Sequence, residues 1–253
     1  MCGARPEAAP HFPMKQRLDR LIVVRGLAES REKAQALILA WQVMAGGRKG
    51  AKPGQLVAAD CPVEVLARPP YVSRGGLKLA PALDAFGIRV EGRICVDIGA
   101  STGGFTDVLL QRGAARVHAV DVGKGQLDWR LRNDSRVVVH EGINARYLKP
   151  ENIGETASMA VCDVSFISAT LVIPAIIGVL APDGEMVILV KPQFEAGRGQ
   201  VGKGGIVRDP AVRQAACDKV RASVESAGFL ASVMESPLTG AEGNVEYLLY
   251  ARH

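Results

Sequence analysis

The chain has little cysteine and nowhere concentrates it: Cys2, Cys61, Cys95, Cys162 and Cys217 are odd in number and widely spaced, with no C-x-x-C pair and no Cys/His cluster. That pattern argues against a disulfide framework and a zinc ligand set, so neither a disulfide-linked partner nor a metal is expected. Cys95 and Cys162, set in apolar runs, read as core residues. Long hydrophobic stretches are missing as well. The longest, residues 169–182, is interrupted by Pro174 and falls short of the ~20 residues that a membrane helix needs. Residues 1–13 hold three prolines but neither the basic start nor the apolar core of a secretory signal. They read as a flexible tail on a cytoplasmic protein that does not use a membrane.

What is present is the composition of a globular protein, 48% hydrophobic and 23% charged. The net charge of +5 is unevenly spread: residues 14–79 carry 12 Lys/Arg against 5 Asp/Glu, and the remainder is slightly negative. A basic module beside a near-neutral one suggests a polyanion-binding attachment on a larger core.

In the basic module, Leu18, Leu21 and Ile22 fall at helical spacing within residues 15–26, and Gly26 supplies a stop. Ser30 can cap a second helix whose Ala34, Leu37, Ile38 and Trp41 repeat on one face. Glycines and Pro53 then punctuate short apolar pieces, residues 55–57 and 63–66, which read as a small β element. The run from Arg17-Leu-Asp through Ser30-Arg-Glu-Lys-Ala to Lys52-Pro-Gly resembles the S4 RNA-binding domain. It departs from that family at Trp41 and at Met44-Ala-Gly-Gly, where a glycine and an asparagine-glycine turn are usual. The resemblance implies an α+β module over residues 14–68 with Arg17, Arg20, Arg25, Arg31, Lys33 and Lys52 facing RNA. Residues 69–73, opening on prolines, read as a linker, with Arg74 as a further RNA contact just beyond it.

Residues 74–253 alternate apolar β-rich runs with helical ones. The strands expected are 94–98, 116–120, 137–140, 159–163, 186–190, 231–234 and 245–251; the helices are 77–86, 105–112, 169–180 and 211–226. Such alternation implies an α/β doubly wound domain, a mostly parallel seven-stranded sheet whose ligand lies at the carboxyl ends of the strands. Between the first strand and its helix lies Asp97-Ile98-Gly99-Ala100-Ser101-Thr102-Gly103-Gly104-Phe105. It is neither the G-x-G-x-x-G of a dinucleotide site nor a P-loop.

This segment resembles motif I of the class I (Rossmann-like) S-adenosylmethionine methyltransferases, which implies that Asp97 and the turn from Gly99 to Phe105 hold the methionine end of that cofactor. Asp121, ending the next strand, would take the ribose hydroxyls, a feature that nicotinamide enzymes share. Asn144, after the third strand, would meet adenine.

Four more segments narrow the resemblance. Ser73-Arg-Gly-Gly-Leu-Lys-Leu, Cys162-Asp-Val-Ser-Phe-Ile-Ser, Val190-Lys-Pro-Gln-Phe-Glu and Gly243-Asn-Val-Glu-Tyr are similar to those of the TlyA-type (hemolysin A family) ribosomal RNA methyltransferases, relatives of the FtsJ-like RNA 2′-O-methyltransferases. The family's Lys-Asp-Lys-Glu tetrad then falls on Lys78, Asp163, Lys191 and Glu246, Asp163 lying also beside the cofactor. The implied activity is 2′-O-methylation of ribosomal RNA at cytidine, on free RNA or ribosomal subunits. The chemistry suits those residues, because a ribose hydroxyl needs a base and alignment while a sulfonium methyl is already activated. Two rivals stay open at this point: an RNA-binding or ribosome-assembly factor whose methyltransferase fold is inactive, and a membrane-lytic hemolysin. The glycine-rich stretch 196–207 reads as a loop that closes on RNA.

Overall fold

A computed structural model describes residues 15–39, 42–49, 52–66, 70–240 and 243–253. The chain divides into two compact units, Met1–Pro69 and Pro70–His253, so the boundary falls among the prolines of the expected linker. The expected tail, Trp41, Arg68 and Pro69 lie outside the described residues.

In the first unit the order is β1 (Lys15–Arg17), α1 (Leu18–Val24), α2 (Arg31–Leu39), β2 (Val43–Ala45), β3 (Arg48–Lys49), β4 (Leu56–Ala58) and β5 (Val63–Val65). β1 pairs antiparallel with β4, and β3-β2-β5 form a second antiparallel sheet. Leu18, Leu21, Ile22, Ala34 and Ile38 bury the facing sides of the two helices. The expectation of helix from residue 15 is corrected. Residues 15–17 precede the first apolar position of the period, and their backbone bonds to β4, some forty residues away, instead of coiling. Gly26, at φ +70°, stops α1, and Ser30 Oγ accepts from the amide of Lys33 at 3.2 Å, the cap expected of it.

The second unit runs α3 (Gly76–Ala85), β6 (Ile94–Ile98), α4 (Gly104–Gln111), β7 (Arg116–Asp121), α5 (Trp129–Arg132), β8 (Val137–Glu141), α6 (Pro150–Ile153), β9 (Ala157–Cys162), α7 (Ile173–Val179), β10 (Leu180–Val190), α8 (Pro192–Glu195), α9 (Pro210–Glu225), β11 (Leu230–Glu235) and β12 (Tyr247–Arg252). Its seven strands lie in the order β11-β12-β10-β9-β6-β7-β8. β12 is antiparallel to both neighbours, and the remaining pairs are parallel. Strand residues alternate between two cores: Val96, Ile98, Ala160 and Ile188 pack with α7 and α9, whereas Cys95, Val117, Met159 and Val187 pack with α3 and α4. This is the doubly wound sheet that the alternation of apolar runs implies.

The helix expected over residues 169–180 is shorter. A 3-10 turn (Ala169–Leu171) comes first, α7 starts at Ile173, and Leu180 already belongs to β10. Pro174 fits the break, since it stands in the first turn of α7, where a missing amide hydrogen costs no helical hydrogen bond. The last strand starts at Tyr247, two residues later than expected, leaving Glu246 just ahead of it. Because β12 runs against the others, its first residue reaches the edge where the parallel strands end.

Candidate active site

The loop after β6 is built on glycines whose replacement would strain it. Gly99 has φ +82°, and a Cβ there would sit 2.4 Å from the carbonyl oxygen of Asp163; Gly103 has φ +95°, and its Cβ would meet Leu131 at 2.3 Å. Ser101 also has positive φ, +50°, and its amide donates to Asp121 Oδ2 at 2.8 Å. Asp121 Oδ1 accepts from Gly123 at 2.6 Å, so this carboxylate is fixed by two backbone amides. Asp97 is fully buried beneath the loop. Thr106 Oγ1 donates to its Oδ2 at 2.6 Å, and its Oδ1 has no partner. Burial pushes this carboxyl up to about 7; Thr106 opposes the rise, and the charges of Asp163 and Asp121 add to it.

Two cavities open at the carboxyl ends of the strands. The smaller, about 180 Å³, is lined by Gly99, Ala100, Ser101, Thr102, Gly104, Phe105 and Asp163 together with Ser73, Gly75, Lys78, Ser165 and Lys191. The larger, about 630 Å³, is lined by Asp121, Asn144, Gln126, Ile143 and residues 163–167. They adjoin, sharing Gly99, Ser101, Asp163 and Ser165. Of the residues singled out for a cofactor, Gly103 and Asp97 do not reach either space. Gly103 packs on Leu131, and Asp97 supports the loop from below. Asn144 is exposed; its Oδ1 caps the following 3-10 turn through the Arg146 amide at 3.0 Å, leaving its NH₂ free for the larger cavity.

The four tetrad residues arrive as two ion pairs. Lys78 Nζ, on α3, donates to Glu246 Oε2 at 2.5 Å, with side chains only 11% and 3% exposed. Lys191 Nζ, just past β10, lies 2.6 Å from Asp163 Oδ1, just past β9, and donates to Ser165 Oγ at 2.8 Å. Lys78, Asp163 and Lys191 line the smaller cavity, and Glu246 stands behind Lys78. Beside them Phe166 is 92% exposed, takes φ +64° and leans on Phe194, ring centroids 5.2 Å apart. Motif spacing brings Ser73, Thr106 and Ser165 into view only as neighbours. Which hydroxyl reaches a lysine or a carboxylate depends on how the loops fold back.

The expected RNA contacts fare differently from one another. Asp19 has no solvent exposure and accepts from Arg17 at 2.9 and 3.1 Å, from Arg31 at 3.0 Å and from Gln35 at 3.0 Å. The Arg17 guanidinium leads in holding its carboxyl well below the usual carboxylate range. Arg25 donates to the carbonyls of Ala59 and Cys61, Lys33 pairs with Glu29, and Arg74 donates to the carbonyl of Thr239 at 3.0 Å. Arg20 and Lys52 are exposed and, among the described residues, have no side-chain partner. Among the described residues no group of three His, Cys, Asp or Glu is placed to hold a metal ion, and no helix is long and apolar enough to cross a membrane.

Comparison with known proteins agrees with this geometry. The model of the FtsJ-like methyltransferase family matches residues 71–253. The 16S/23S rRNA (cytidine-2′-O)-methyltransferase TlyA of Mycobacterium tuberculosis is 50% identical over 94% of this chain and 90% of that protein. Hemolysin A of Brachyspira hyodysenteriae is 46% identical over 92% and 98%. A solved structure from Streptococcus thermophilus, described as a hemolysin, is 44% identical and superposes with a TM-score of 0.73 over 95% of this chain and 88% of that one. A glycine loop at the head of a doubly wound sheet, two lysine–carboxylate pairs beside it and these relatives converge on one assignment: the chain belongs to the FtsJ-like methyltransferase family, in its TlyA group.

Proposed function

We propose that this protein transfers a methyl group from S-adenosylmethionine to the 2′-hydroxyl of a ribosomal RNA cytidine, acting on ribosomal subunits in the cytoplasm. The observation that carries the reading is the pair of lysine–carboxylate contacts, Lys78–Glu246 and Lys191–Asp163, at the mouth of the glycine-loop cavity. The cytidine preference rests on the TlyA relative's named activity.

S-adenosylmethionine is a cation, and its fit is tested by the loop itself. The turn carries no lysine, and two carboxylates, Asp163 and Asp121, line the cavities beside it. Gly99 to Phe105 would hold the methionine end, Asp121 the ribose and Asn144 the adenine. Bound there, the cofactor supplies an activated methyl that needs no metal. The rest falls to the protein. Lys191, when neutral, takes the proton of the attacking hydroxyl at Nζ, and Asp163 and Ser165 fix that nitrogen in place. Lys78, held by Glu246, donates to the ribose oxygen and aligns it. Arg20 and Lys52 are free to meet phosphates in an S4-type first unit, and exposed Phe166 offers a face to a base.

The test is single-turnover transfer of labelled methyl to ribosomal subunits. Lys191→Met should slow it by ~10²-fold or more with little change in S-adenosylmethionine or RNA affinity. Loss of binding with an unchanged single-turnover rate would make Lys191 a phosphate anchor instead.

A further inference from the structure

Glu195, the last residue of α8, lines neither cavity, yet its side chain is 2% exposed and its carboxylate is fully engaged. Oε1 accepts from the amide of Ala169 at 2.6 Å, and Oε2 accepts from Ser168 Oγ at 2.5 Å and Lys219 Nζ at 2.9 Å. Lys219 also donates to the Glu195 carbonyl at 3.1 Å, which ties α9 into the same knot. These contacts join two segments that begin at the reacting pair. One runs from Asp163 to Ala169, the other from Lys191 to Glu195. Each therefore has its first residue in the Asp163–Lys191 contact and its last in the Glu195 cluster, with the Phe166–Phe194 contact between.

We propose that Glu195 is a positioning residue for methyl transfer, fixing the segment 163–169 against α8 so that Asp163 and Ser165 hold Lys191 Nζ at the cavity. The proposal rests on the reading of Lys191 as the base. Two observations favour this over a role in stability alone. The Lys219 side chain is 46% exposed, so its ion pair with Glu195 is screened by solvent and is a weak source of stability, whereas a carboxylate that grips a backbone amide is directional. The gripped segment also contains Phe166 at positive φ, a conformation that a bulky residue keeps only where its surroundings enforce it.

The experiment uses the full chain and three substitutions, Glu195→Gln, Ser168→Ala and Ser168→Thr, compared with Lys191→Met. Glu195→Gln places an amide donor against donors, and Ser168→Ala removes one hydroxyl with little risk to folding. A displacement of about 1 Å at a reacting group lowers rates by up to ~10²-fold, so both should slow single-turnover transfer roughly 10- to 100-fold. S-adenosylmethionine affinity and the RNA KM should stay near wild type, and Ser168→Thr, which keeps the hydroxyl, should restore the rate. A slow Lys191→Met beside Glu195→Gln and Ser168→Ala of normal speed overturns this proposal alone, as does a Ser168→Thr as slow as Ser168→Ala. A wild-type rate in Lys191→Met overturns the base reading and this proposal with it.

Discussion

Removing either partner of the Lys78–Glu246 pair should destabilise the second unit far more than removing both. The two side chains are 11% and 3% exposed and 2.5 Å apart, so Glu246→Leu strands a buried ammonium and Lys78→Met strands a buried carboxylate. Stranding a buried charge costs ~3–5 kcal/mol, while exchanging the whole pair for apolar residues of similar volume is often neutral. In a unit of this size about 1 kcal/mol moves the melting temperature by roughly 2–4 °C, so each single variant should melt ~6–20 °C lower and the double variant near wild type. Urea denaturation of the four proteins closes the cycle, with an expected coupling of at least ~3 kcal/mol. A double variant whose loss equals the sum of the singles would refute the argument, because the charges would then not be meeting in a dry site. The same double variant separates fold from chemistry: restored in stability, it should still fail in single-turnover methyl transfer.

Asp97, raised to about 7 in the folded protein, binds a proton there that the unfolded chain has released above about pH 4. Wild-type stability should therefore fall as pH rises from about 4 to about 7 and level off beyond. Asp97→Asn should remove that decline, and a pH-independent difference between the two in urea denaturation would contradict it. Calorimetry should show Asp97→Ala binding S-adenosylmethionine much more weakly, and tight NADH binding by wild type would overturn the cofactor assignment. Asp19 runs in the opposite direction: its lowered carboxyl stabilises the first unit above about pH 4 and loses that effect as pH falls. Asp19→Ala should consequently lower the thermal midpoint most at pH 7 and by less near pH 3, where the unfolded carboxyl is protonated while the folded one is still ionised, and equal losses at both pH values would argue against the Arg17–Asp19–Arg31 hub.

The sheet was legible because strands buried on both faces must be apolar, so runs such as residues 94–98 and 159–162 stand out from any neighbour. The glycine loop was legible for a related reason, since Gly99 and Gly103 occupy backbone conformations that few other residues tolerate. Local pattern says nothing about partners distant in sequence. Residues 15–17 looked like the start of a helix because β4, the strand that claims them, lies some forty positions away. The internal partners of Arg17, Arg25 and Arg31 were not legible, because charge alone does not distinguish a guanidinium facing only solvent from one also bonded to Asp19 or to carbonyls. Glu195 and Ser168 came into view only as the last residues of two family segments, and nothing local announces that they meet each other, Ala169 and Lys219.

The reversed final strand bears on the order in which the molecule comes into being. Glu246 precedes β12 and meets Lys78 on the first helix of its unit, 168 positions earlier; Arg74 and Thr239 bridge a nearly equal span. Contacts between positions so far apart close a large loop and are among the last that a folding chain gains. A chain cut short before β12 would lose Lys78's counter-charge together with an inner strand of the sheet, on which Leu248, Leu249 and Ala251 are fully buried. The Lys78–Glu246 pair thus ties the first helix of the unit to its last strand, so the four residues come together only when the whole unit is folded.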